Sequence, residues 1–152
     1  MATTLEKSLG IALVATVVIA AIVVLTYSYR ISNVGRVKGI GVSVYSDALC
    51  TNRLTMIDWG VIGPNEVKGV IAYVRNEKNT NVTLDMSTSN WVPWNISTAL
   101  SCTWNYTVGS KILVGEVSPP YLVSLISNSN LYWFPSNSTF SFDININATE
   151  IS

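Results

Sequence analysis

The sequence predicts a mainly β protein with one long N-terminal α-helix, its body an antiparallel β-sandwich of about seven or eight strands. Three observations lead there. The chain opens on an unbroken apolar run. After Tyr29 apolar and polar residues alternate instead. Turn-forming Gly, Pro, Asn and Asp then recur at short intervals with no amphipathic helical pattern between them. The expected organisation is a helix over 1–30, a hinge over 31–39 and a sandwich head over 40–152.

The helix expectation rests on Ser8–Tyr29, which carries no charge and is almost purely Ala, Val, Ile and Leu from Leu9 to Leu25. Twenty-two residues at 1.5 Å each would span about 33 Å, close to the hydrocarbon thickness of about 30 Å. The run is longer than a signal peptide's apolar region and ends in bulky "LTYSYR", so it reads as retained. Gly10, Ala12, Ala15, Ala20 and Ala21 would permit close helix contacts. Lys7 before the run against Arg30, Arg36 and Lys38 after it argues by charge for a cytoplasmic head, which conflicts with the external reading below.

In a helix-plus-head layout "ISNVGRVKG" (Ile31–Gly39), with Gly35 and Gly39, is the expected hinge between the two. Strands are then expected at Val37–Tyr45, Leu54–Gly60, Val67–Asn76, Asn81–Ser87, Ser101–Val108, Lys111–Val117, Pro120–Ser127 and Thr139–Ile146. "NEKNT" between the third and fourth of these runs suggests a hairpin. Every proline from Pro64 onward falls between runs, where it breaks no ladder. The stretch "DWGVIGPNEVKGVIAYVRNEKNTNVTLDM" resembles the turn–strand–turn–strand pattern of immunoglobulin-like modules, which implies an immunoglobulin-like sandwich and says nothing of function.

Composition excludes several functions. Charged residues make up 12% of the chain, and the net charge is zero. A nucleic-acid partner is therefore not expected. Histidine is absent, which removes Ser-His-Asp and Cys-His catalysis and the commonest metal ligand. The carboxylates are dispersed, so no catalytic residue, cofactor or metal site is expected and the chain does not read as an enzyme. Cys50 and Cys102 are too far apart in sequence for a CxxC pair; they would close one disulfide in an exported domain or remain two separate thiols. Five acceptor sequons, at Asn81, Asn95, Asn105, Asn137 and Asn147, favour an external domain bearing glycans. Of the five tryptophans, some are expected in the core, and "NWVPWN" (Asn90–Asn95) is the candidate exposed aromatic loop.

A short polar N-terminus, an apolar run and a single Ser/Thr/Asn-rich, sequon-bearing β-domain resemble the layout of archaeal type IV pilins and archaellins. Glu6, fifth once Met1 is removed, matches the acidic residue that type IV pilins carry at that place. The resemblance implies an extracellular filament subunit used in adhesion or surface attachment. Its partners would be copies of itself, the membrane before assembly and a pilus assembly machinery. It also implies a basic leader upstream, which would settle the charge conflict. The competing expectation is a single-pass cell-surface or viral-envelope glycoprotein anchored by the same segment.

Overall fold

The computed structural model describes residues 31–151. These residues form eight strands in two four-stranded sheets: β1 (Ile31–Ile40), β2 (Val42–Tyr45), β3 (Met56–Ile62), β4 (Val67–Asn76), β5 (Asn81–Val92), β6 (Leu100–Trp104), β7 (Tyr121–Ser127) and β8 (Thr139–Ile151). The first sheet has the order β3-β1-β8-β5 and the second β2-β4-β7-β6.

The predicted fold class needs correction. The described residues are all β, and their helical content is two five-residue 3₁₀ helices, Trp94–Thr98 and Ser129–Trp133. Among the described residues, no helix is long and apolar enough to cross a membrane. The helix expected over 1–30, with Glu6, Gly10, Ala12, Ala15, Ala20 and Ala21, lies outside the described residues.

The expected hinge is a strand. β1 runs through 31–40 in the interior of its sheet, antiparallel to β3 and parallel to β8. The sandwich is therefore mixed rather than antiparallel. Its inward positions explain why the sequence concealed it. Asn33 and Gly35 point into the core where an apolar residue is expected. The Asn33 amide donates to the Gly60 carbonyl at 3.1 Å. Gly35 leaves room for the Trp59 indole, whose Nε1 would sit 3.0 Å from a Cβ there. At Gly39 a Cβ would collide with the Val42 carbonyl oxygen. Gly41, at φ +77°, then breaks the expected run Val37–Tyr45 into β1 and β2, which belong to different sheets.

The expected hairpin at residues 77–80 is instead a crossing between sheets, since β4 lies in the second sheet and β5 in the first. Asn76 organises it. Its side chain is buried, its Nδ2 donates to the carbonyls of Thr80 (2.8 Å), Ile112 (3.2 Å) and Leu113 (3.1 Å), and its Oδ1 accepts from the Lys78 amide (2.9 Å). The expected strand Lys111–Val117 is an irregular segment. It pairs with the sheets through isolated bridges from Ile112 to Val82 and Val117 to Arg75, and turns at Gly115 with φ +72°.

Between the sheets lies one core in which Phe142, Ile144 and Ile146 of β8 meet Val74 of β4 and Val123 and Leu125 of β7. Three tryptophans join it. Trp59 is buried, Trp91 stacks on Phe142 at 4.1 Å, and Trp104 packs on Tyr106 and Tyr121. Tyr106 also ties the irregular segment to the first sheet, its hydroxyl donating to the Ser110 carbonyl (2.6 Å) and accepting from the Leu84 amide (3.0 Å).

Candidate functional surfaces

Two surfaces stand out. Among the described residues, no group of three or more Cys, Asp or Glu side chains could hold a metal. The carboxylates serve local structure. Asp47 Oδ1 accepts from the Thr51 amide at 3.1 Å and its Oδ2 from the Asn52 amide at 2.6 Å, and these backbone donors hold its pKa below the ordinary carboxylate range. Asp143 on β8 accepts from Lys38 Nζ and Asn90 Nδ2, each at 2.6 Å, and those hydrogen bonds likewise lower its pKa.

The first surface is the outer face of the second sheet. Alternation along β4 and β7 sends Val67, Gly69 and Ile71 outward together with Leu122, Ser124 and Ile126. The register makes them direct cross-strand neighbours: Val67 faces Ile126, Gly69 faces Ser124 and Ile71 faces Leu122. Ser101 and Thr103 of β6 extend the same rows. None of these residues is charged; further along β4 the same outward row reaches Tyr73 and then the exposed Arg75. Ile71 and Leu122 are 43% and 41% exposed, and Gly69 keeps the stripe flat, since a Cβ there would press within 2.7 Å of Leu122 Cδ1.

The second surface is a cleft of about 500 Å³ at one end of the sandwich, between the two 3₁₀ helices. Each helix is anchored by one buried aliphatic side chain, Ile96 in the first and Leu131 in the second. The helices are tied together at the Thr98 carbonyl, which accepts from Asn128 Nδ2 (3.0 Å) and Asn130 Nδ2 (3.2 Å), while the Asn128 amide donates to Ala99 (3.0 Å). Pro93, Trp133, Phe134 and Pro135 give the cleft its apolar walls, and Asn95, Asn130 and Ser138 its polar ones. Trp133 is 85% exposed, and Trp94 beside the cleft is 81% exposed.

The sequence-derived candidates distribute unevenly over these surfaces. Asn95 lines the cleft and is exposed; Asn137 is exposed in the turn before β8, with Ser138 of its sequon in the cleft wall. Asn105 is exposed beyond β6, its Oδ1 accepting from the Leu122 amide at 2.7 Å. Asn81 and Asn147 are half-buried within β5 and β8. Cys50 and Cys102 are both free thiols, so the disulfide expected as one alternative is not formed. Cys50 follows β2 and Cys102 lies on β6, the opposite edges of one sheet with two strands between them. Burial pushes the Cys102 thiol up to about 12. Gly35 and Gly39 lie in β1, where an added Cβ would meet the Trp59 indole and the Val42 carbonyl respectively. Of the expected aromatic loop, Trp94 is exposed while Trp91 packs inward, donating to Thr88 Oγ1 at 3.3 Å. Sequence reading missed Trp133 as a surface residue, although "LYWFP" just before a Ser/Asn-rich turn is a signal of the same kind as "NWVPWN".

No protein-family model matches the chain, and no curated protein matches it. Functional assignment therefore rests on these surfaces and on the sequence.

Proposed function

We propose that this chain is a structural, non-enzymatic subunit of an extracellular pilus-like filament, with the β-sandwich as its outward-facing layer. The observation that carries this reading is the uncharged apolar stripe across β4 and β7, directly paired as Val67/Ile126, Gly69/Ser124 and Ile71/Leu122. Contiguous apolar surface on a sheet face favours association, at about 25 cal/mol for each Å² removed from water. Across these paired positions one copy can approach another without desolvating an ion, Arg75 lying beyond them along β4. The low charge, the five sequons and the uncharged stretch Ser8–Tyr29 support an external, assembling subunit at the level of sequence.

The test is a pair of substitutions, Ile71→Lys and Leu122→Lys, placed side by side on the stripe of the full chain in producing cells. Wild-type chain is expected in high-molecular-weight material sheared from the cell surface, and the double variant is expected to stay with the cells while remaining folded. A variant distributed like the wild type contradicts the assignment of this face. Wild-type chain that stays in the membrane fraction until detergent is added favours the anchored surface glycoprotein instead.

A further inference from the structure

The cleft between the two 3₁₀ helices is not used by the assembly reading, and it has the chemistry of a binding site. We propose that it binds a neutral saccharide, one pyranose ring lying against Trp133 with its hydroxyls directed to Asn95, Asn130 and Ser138.

Four features support this ligand class. None of the lining residues is charged, so neither an anion nor a cation finds a counter-charge there. The indole of Trp133 stands 85% exposed, offering a flat apolar face to the C–H face of a sugar. Amide and hydroxyl side chains on the facing wall supply both donors and acceptors, the mixture that sugar hydroxyls require. The volume of about 500 Å³ suits one or two pyranose rings.

The walls are also preorganised. Asn128 and Asn130 both fasten the second 3₁₀ helix to the Thr98 carbonyl, and Thr98 Oγ1 donates to the Asn95 carbonyl at 2.9 Å. Binding therefore orders few additional groups. An aliphatic peptide segment is a poorer occupant, because it would leave the amides of the polar wall facing apolar atoms.

Two sources can deliver such a ring. Asn95 is itself a sequon acceptor in the cleft, and Ser138 belongs to the Asn137 sequon, so the sugar can come from the chain's own glycan. It can also come from a separate glycan on another surface. The proposal does not depend on the filament reading, since it concerns one copy of the sandwich.

The experiment uses the full chain in detergent, produced once without N-glycosylation and once with it, and follows the tryptophan indole N–H resonances by NMR. Neutral monosaccharides and disaccharides of glucose, mannose, galactose and N-acetylglucosamine are titrated into the unglycosylated form. A saturable shift of the Trp133 resonance in the millimolar range is expected. It should weaken at least tenfold in Trp133→Ala and be unchanged in Leu49→Ser, a control at an exposed position in another turn. That result assigns an external glycan. If the unglycosylated form does not respond, the chain's own glycan is assigned by ring-current-shifted sugar protons in the glycosylated form that disappear in Trp133→Ala and in either Asn95→Gln or Asn137→Gln. The proposal is overturned if neither form shows a Trp133-dependent sugar contact. It is also overturned if only acidic saccharides bind. Because it is read on a single copy, a negative result here leaves the assembly assignment standing, and failure of assembly leaves this one standing.

Discussion

Replacing Asn76 with alanine should cost more stability than any surface polar substitution in this protein. Its side chain lies in the buried crossing from β4 to β5 and makes four hydrogen bonds. They are not equal. The Ile112 carbonyl also accepts from the Val82 amide at 3.0 Å and the Leu113 carbonyl from the Glu116 amide at 3.1 Å, so both keep a partner when Asn76 is removed. The Thr80 carbonyl and the Lys78 amide lose the partner that the side chain gave them. With two such losses at about 0.5–1.5 kcal/mol each, the net destabilisation is about 1–3 kcal/mol. Asn76→Asp keeps an acceptor for Lys78 but sets a carboxylate against three carbonyl oxygens, and should be at least as harmful. Urea unfolding followed by tryptophan fluorescence reads both changes, with an unaltered denaturant slope expected. A loss below about 0.5 kcal/mol for Asn76→Ala, the size of an ordinary surface change, would refute the idea that this amide holds the crossing together.

Other consequences follow from the same packing. Asp143 has its folded pKa depressed by Lys38 and Asn90, so its contribution is present above the unfolded carboxylate value of about 3.9 and is lost as pH falls through the folded value. Unfolding free energy of the wild type should therefore drop below about pH 4, more steeply than that of Asp143→Asn. Gly39→Ala should destabilise strongly, since its Cβ meets the backbone carbonyl of Val42 rather than a movable side chain; a thermal midpoint within a degree of wild type would count against that geometry. Phe142→Ala removes a fully buried ring and its stack on Trp91, for which a loss of about 3–5 kcal/mol is expected by chemical denaturation. Alkylation of the denatured chain without reductant should add two adducts, one at each free cysteine, whereas an unchanged mass would reveal a bond between them. In the native state Cys102 should react far more slowly than it does after unfolding, because burial disfavours its thiolate.

Legibility in the sequence varied with how clearly a short apolar run is bounded by turn residues. "VKGVIAYVRN" was readable to the residue as β4, and "PYLVSLIS" as β7 but for its leading proline, because each is a short apolar run between clear turns. β1 was hidden because its inward positions are Asn33 and Gly35, one matched to a carbonyl and the other to an indole, both distant in sequence. The apolar residues of "KILVGEV" suggested a strand, yet Leu113 and Val114 are both exposed and only Ile112 reaches the core. The hairpin expected at "NEKNT" failed through Asn76, whose partners at residues 112 and 113 no local pattern reveals. Half of the cleft was foreshadowed by "NWVPWN"; the other half required two turns about 35 residues apart to meet, a long-range pairing that no local pattern encodes.

Assembly of copies through the outer face of the second sheet is open to cryo-electron microscopy of material sheared from producing cells. Filaments built mainly from this chain are expected, in which Ile71 and Leu122 of each sandwich are covered by a neighbouring copy. Filaments that leave this face open to solvent, or sheared material without the chain, would contradict it.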